Sequence, residues 1–305
     1  MFKRIAVFLL TNIAVLATIM ISLSVIQAVF GINVTAYGGS MVSIFIFALV
    51  VWFAGSFISL ALSKYMAKMA YWVKPVSKAQ YDSLDEKQKL VFRTVEELAE
   101  RNNIKTPEIG FYISPEPNAF ATGASKNSSL VAVSSGLLDM MNEDEIEGVV
   151  AHEMAHVLNG DMVTMALVQG ILNTFVVFFS RIIANIVDNF MQGEEESTGP
   201  SWVYFVVSIV LEIIFGILAS LVAMKFSRYR EFRADYGSAQ FVGKRKMIAA
   251  LKALQTMQNR MVSDDNSKLA SMKISTKNKK SGVLGLFSSH PDLSERIQAL
   301  ENANI

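Results

Sequence analysis

Cysteine is absent from the 305 residues, and only three of them are histidine. Without cysteine there are no disulfides, no thiolate metal ligands and no cysteine nucleophile. Any transition-metal site must therefore be built from His and carboxylate. An excess of one charge sign is also missing. The 28 Lys and Arg nearly balance the 27 Asp and Glu for a net charge of +1, which lacks the bulk electrostatic footprint of a nucleic-acid binder. No internal repeat is evident, and no G-x-x-x-x-G-K-[ST] loop occurs to mark an ATPase. What is abundant is apolar. Hydrophobic residues make up 52%, 20 residues are Phe and the mean hydropathy is +0.36, so a large core or membrane spans must absorb that surface. The length suits one sizeable domain with extra elements, or two small ones.

Four runs approach or exceed the ~20 apolar residues that cross a bilayer. Ile5 to Phe30 and about Met41 to Leu62 contain no charge and are expected to span. The first is longer than the ~7–15-residue apolar core of a signal peptide, so it reads as an uncleaved anchor. The third run, about Met162 to Val187, contains Arg181, and the fourth, about Trp202 to Phe226, contains Glu212. These two charges are placed to pair across a hairpin, or Arg181 to snorkel near its end. The other reading of this hairpin is that it packs on the protein without crossing. Lys and Arg in the flanks decide orientation. Lys3 and Arg4 precede the first run; Lys64, Lys68, Lys74 and Lys78 follow the second; Lys225, Arg228, Arg230 and Arg233 follow the fourth. The 31–40 and 188–201 loops have neither residue, and the latter carries Glu194, Glu195 and Glu196. Every flank agrees with cytoplasmic termini and polar parts, which favours four spans over two.

The polar pieces divide the chain further: two N-terminal spans in 1–62, a catalytic part in 63–161, the hairpin in 162–226 and a second catalytic part in 227–305. In the first polar part, Leu90, Val91, Val95 and Leu98 lie near helical spacing. IGFYIS, then NAFATG and SLVAVSSGLL, read as strands of a small sheet. A helix is expected to start at Asn142 as N-cap, with acidic residues in its first turn. In the second part, helices are expected over RYREFRADYGSAQFV, over KRKMIAALKALQTMQNRM and after His290, with a polar loop over 263–282.

Within the helix after Asn142 stands AHEMAH. His152 and His156, at i and i+4, project from one helix face, with Glu153 one residue round. This is the H-E-x-x-H arrangement: two neutral imidazoles hold Zn²⁺, and the carboxylate serves as general base to water. The ion lowers the pKa of water toward ~7 and polarises the scissile carbonyl, while the glutamate takes the proton and returns it to the leaving amine. A catalytic zinc has three protein ligands, and VLNGDMVTM lacks the continuation that supplies a third His in metzincins. The third ligand must come from elsewhere, either His290 or a carboxylate. Glu231 and Asp235, at i and i+4 in REFRADYGSA, are the best carboxylate source.

AHEMAHVLNGDMV, REFRADYGSAQF and SSHPDLSERIQAL, in that order and with an apolar hairpin between the first two, resemble the HtpX family of bacterial membrane metalloproteases. The chain is similar, more distantly, to the CAAX prenyl proteases, whose larger ring of membrane helices four apolar runs cannot build. The resemblance covers nearly the whole chain, and three separated motifs are far more specific than the first alone. It implies a mainly α, α+β, multi-pass membrane protein whose cytoplasmic zincin-like domain contains a small sheet. It implies a gluzincin-type endopeptidase with one Zn²⁺ per subunit. Glu231 would be the third ligand, Asp235 would orient an imidazole, His290 would steady substrate or the developing oxyanion, and Arg296 would buttress the site by pairing with Asp235. NAFATG, Asn118, Ala119, Phe120, Ala121, Thr122 and Gly123, resembles the family's edge strand, which binds extended peptide by main-chain pairing.

The implied setting is the bacterial inner membrane, with the active site cytoplasmic and close to the lipid surface, since the two hairpin spans deliver the ligands from both ends. The implied substrates are misfolded or damaged membrane proteins under stress, the chain itself included. An ATP-dependent membrane protease would supply any unfolding work. The competing readings are a zinc hydrolase of a lipid-like small molecule, and a scaffold whose metal only braces the fold. Glu153 argues against the scaffold, because a purely structural site needs no base.

Overall fold

Among the described residues the long apolar runs become long helices, and the β-forming pieces gather into one sheet. The computed structural model describes residues 41–192, 199–269 and 291–305 together with the helical residues 21, 24, 25 and 28; for residues 260–269 it describes the backbone alone. In chain order the elements are α1 (Met41–Tyr71), β1 (Lys74–Val76), a 3-10 helix (Lys78–Ser83), α2 (Glu86–Arg101), β2 (Glu108–Tyr112), β3 (Ala119–Ser125) and β4 (Ser128–Ser134). Then follow α3 (Ser135–Met140), α4 (Glu143–Asn159), α5 (Asp161–Gln192), α6 (Trp202–Val242), α7 (Lys244–Leu269) and α8 (Leu293–Asn302). The chain divides into two compact units, Met1–Ala61 with Thr164–Ala223, and Leu62–Val163 with Met224–Ile305.

Among the described residues three helices, α1, α5 and α6, are long and apolar enough to cross a membrane. At 1.5 Å per residue they reach roughly 45–60 Å, against the ~30 Å of a bilayer's hydrocarbon core. The expected first span, Ile5 to Phe30, lies outside the described residues except for positions 21, 24, 25 and 28. Within the first unit, Phe45 on α1 meets Phe178 on α5 edge-on at 5.2 Å. Arg181 sits over the Phe47 ring at 5.3 Å, a cation–π contact. No ion pair joins Arg181 to Glu212 among the described residues. Ile209, Ile213 and Ile217 stand exposed along α6, as lipid-facing residues do.

Two of the long helices run further than the sequence reading has them. The fourth apolar run and the REFRADYGSAQF segment form one uninterrupted helix, α6, because no proline or turn breaks the ladder before Gly243, whose φ is +102°. Helix α7 runs on to Leu269, into the segment read as a loop from 263. Extending an existing helix needs no new nucleus. The rest of that segment lies outside the described residues.

The sheet of the second unit has the order β1-β2-β4-β3, with β2 and β4 parallel and the outer pairs antiparallel. Central β4 buries Leu130, Val131, Ala132 and Val133 completely, apolar on both faces. Val131 and Val133 join Val91, Val95 and Leu98 of α2 and Ile146, Val150 and Met154 of α4 in the main core. Leu130 and Ala132 face Val73, Tyr112 and Phe120 on the other side. The strand stops at Ser134, whose hydroxyl accepts the Leu137 N–H at 3.1 Å and caps α3. The second half of SLVAVSSGLL is therefore helix, not strand. β1, three residues long, was not anticipated. Helix α4 also lies against α7, so closely that a Cβ at Gly148 would come within 2.7 Å of the Lys246 carbonyl oxygen. β3, paired only through β4, is left as an edge of the sheet.

Candidate active site

Helix α4 begins as its sequence dictates. Asn142 Oδ1 accepts from the Glu145 N–H at 3.0 Å and the Glu145 carboxylate accepts from the Asn142 N–H at 2.9 Å, a capping box with three acidic residues in the first turn. Three turns on, His152 and His156 lie edge to face with ring centroids 4.7 Å apart and Nε2 atoms 3.2 Å apart. Helix α6 brings Glu231 to both. Its Oε2 is 3.6 Å from His152 Nε2, and its Oε1 is 3.4 Å from His156 Nε2. Two nitrogens held ~2.0–2.1 Å from one tetrahedral ion lie about 3.3 Å from each other. The three spacings are close to that figure, and the donor set, two imidazoles and a carboxylate, is that of a catalytic zinc site. The residues therefore fit the metal.

Behind the three donors stand partners that aim them. Asp235 Oδ1 is 2.9 Å from His152 Nδ1, an ion-pair distance although the N–H bond is not aimed along it. Arg296, on α8, donates Nε to Asp235 Oδ2 at 2.7 Å and Nη2 to Asp235 Oδ1 at 2.6 Å, and its Nη1 is 3.4 Å from Glu231 Oε2. All three of these charged side chains are buried. His156 has a separate partner: Asp161, at the start of α5, sits with Oδ2 2.6 Å from His156 Nδ1.

Burial opposes charge on both imidazoles, yet the neighbouring carboxylates outweigh it. Asp161 and Glu231 push the pKa of His156 up to about 9, and Asp235 and Glu231 raise that of His152. In the metal-free chain the pair therefore favours a cation, a proton in the absence of a metal.

Glu153 turns toward the sheet. Its Oε2 accepts the Ala121 N–H of edge strand β3 at 2.8 Å. A cleft of about 330 Å³ opens there, with Asn118 to Ala121 on one wall and His152, Glu153, His156 and Glu231 on the other. Of the expected substrate-binding stretch, Thr122 and Gly123 continue β3 but do not line this cleft. His290 lies outside the described residues. The sequence reading missed Asp161, Met162 and Arg230, all on the cleft, and the Arg233 side chain beside Asp161. A signal for Asp161 was there, five residues after His156 and directly after a glycine.

The sequence profile described as peptidase family M48 spans residues 85–304. The chain is 47% identical to Protease HtpX of Idiomarina loihiensis, with 98% of this chain and 99% of that one covered. It is 49% identical to the Protease HtpX homolog of Bacillus subtilis, covering 99% of each. With the homolog of Bacillus pumilus it shares 52%, over 98% of this chain and 99% of the relative. Among solved structures, S. mikatae Ste24p shares the fold at a TM-score of 0.58 and 19% identity; 98% of this chain is covered, but only 66% of that one. Half-identity from end to end, together with two imidazoles and a carboxylate converging beside a second glutamate, makes this chain a member of peptidase family M48, a membrane metalloprotease akin to the HtpX proteases.

Proposed function

We propose that the protein is a zinc endopeptidase of the bacterial inner membrane that cuts misfolded or damaged membrane proteins at the cytoplasmic face. His152, His156 and Glu231 would hold one zinc ion per subunit. When bound, the ion supplies Lewis acidity, polarising the scissile carbonyl and making water nucleophilic near neutral pH. Glu153 takes the proton of the attacking water and passes it to the leaving amine. The Ala121 N–H holds one of its oxygens at 2.8 Å and leaves the other for that proton. Asp235 holds His152 from behind, and Arg296 holds Asp235. By the family resemblance, His290 would steady substrate or the developing oxyanion.

One observation carries this reading. The carboxylate of Glu153 and the open main chain of β3 meet within one cleft, 2.8 Å apart, so a peptide added to that edge lies against the base. Main-chain pairing selects extended chains without demanding a sequence, which suits unfolded substrates, including copies of the protein itself. The cytoplasmic orientation rests on the Lys and Arg that follow the second and fourth apolar runs. The chain carries no ATPase motif, so an ATP-dependent membrane protease is the partner expected to unfold structured substrates.

The test uses the full chain, purified in detergent with zinc, beside Glu153→Gln and Glu231→Ala. Glu153→Gln should keep its zinc and lose cleavage of unfolded protein by ~10²–10⁴-fold, while Glu231→Ala should lose the metal. Cleavage by Glu153→Gln at the wild-type rate would end the reading.

A further inference from the structure

We propose that Asp161 is a positioning residue for His156, the counterpart of Asp235 behind His152, and that it fixes which nitrogen of His156 faces the metal. The inference rests on the metal-site reading above. Asp161 is the first residue of α5, where a carboxylate is commonly just a solvated complement to the helix dipole. Here it is 1% exposed. A buried carboxylate is costly unless both its oxygens are paired, and these are. Oδ2 lies 2.6 Å from His156 Nδ1, and Oδ1 accepts from Arg233 Nη2 at 2.8 Å. The Asp161 carbonyl also faces Arg230 Nη1 at 3.4 Å.

The backbone is shaped for this contact. Helix α4 ends at Gly160 in the left-handed region, φ +69°, and α5 starts at the next residue. That single-residue turn folds the carboxylate back under the imidazole five positions earlier. With Nδ1–H committed to Asp161, only Nε2 is free, and it is Nε2 that faces His152 Nε2 and Glu231. Each imidazole thus has its own carboxylate and its own arginine, Asp235 with Arg296 for one and Asp161 with Arg233 for the other.

Zinc affinity of the full-length protein in detergent, measured by chelator competition, tests the assignment. Asp161→Ser keeps a good helix-starting residue but cannot reach the imidazole; its zinc affinity should fall about 10–100-fold. Asp161→Asn keeps an oxygen in place to accept Nδ1–H and should recover much of that loss. A Ser variant within twofold of wild type would overturn the proposal, as would an Asn variant as weak as Ser. Should the Ser variant fail to fold, ¹⁵N spectra of histidine-labelled, zinc-loaded wild type decide: His156 must show a protonated Nδ1, and the opposite tautomer overturns the assignment. A wild type that binds no zinc would instead sink the metal-site reading beneath it.

Discussion

Arg296 offers the most demanding check on the electrostatics of this site. Its guanidinium makes two charge-assisted bonds to Asp235, at 2.7 and 2.6 Å, and stands 3.4 Å from Glu231. The Arg296 side chain is 7% exposed and that of Asp235 2%, so water screens this pair very little. Replacing Arg296 by Met keeps most of the volume but leaves two buried carboxylates with only the imidazoles to balance them. Breaking a buried pair from one side costs about 3–5 kcal/mol, because the remaining charge is uncompensated. For a unit of this size that corresponds to a fall in midpoint of roughly 6–20 °C. The assay is thermal unfolding in detergent with chelator present, so that no metal stands in for the missing charge. Adding Asp235→Asn to Arg296→Met should regain a large part of the loss, since the double variant buries one charge fewer. If Arg296→Met melts within ~2 °C of wild type, the claim that this arginine balances the buried carboxylates is wrong.

Three further outcomes follow from the same geometry. His156 has its pKa raised from 6.5 to about 9 without metal, so its contribution to stability is complete below pH 6.5 and is lost as pH climbs through about 9. Metal-free protein should therefore melt progressively lower across that interval while zinc affinity rises, because the metal displaces the same proton; a melting point independent of pH would contradict the contact with Asp161. Gly160→Ala places a Cβ at φ +69° and should cost about 1–2 kcal/mol, read as a lowered midpoint in denaturant. Ala121→Pro removes the N–H that holds Glu153 on a strand edge where proline is sterically tolerated. It should lower turnover of an unfolded substrate while zinc content stays at the wild-type level, and loss of zinc in that variant would show that β3 supports the metal site itself.

Local pattern made some of this legible from the start. The helical period alone put His152 and His156 on one face, and Asn142 with Glu145 announced where that helix begins. Long apolar runs became α1, α5 and α6, because a long apolar stretch has no other stable form in lipid. Shorter features escaped. β1 has three residues and no periodicity to read, and α3 hides behind β-forming neighbours until Ser134 caps it.

Pattern alone offered Glu231 only as one candidate third ligand; its role, and those of Asp235, Arg296 and Ala121, were implied by the family resemblance, because such residues meet across long stretches of chain. Glu231 lies 75 positions from His156, and Ala121 lies 32 from Glu153. Asp161, though close in sequence, reads as a helix start until its carboxylate is seen turned inward.

By itself the sequence determined what long, strongly patterned elements carry: where the apolar helices run, where α4 begins, which side chains share its face, and which chemistry two imidazoles and a glutamate at that spacing can perform. Only the tertiary structure decided that Asp161 and Arg233 stand behind His156, how Glu231 meets both imidazoles, and that the Glu153 carboxylate touches the edge strand. Those contacts join residues of different elements, α4 with α5, α6 and β3, and α6 with α8, and no local periodicity encodes a contact between elements.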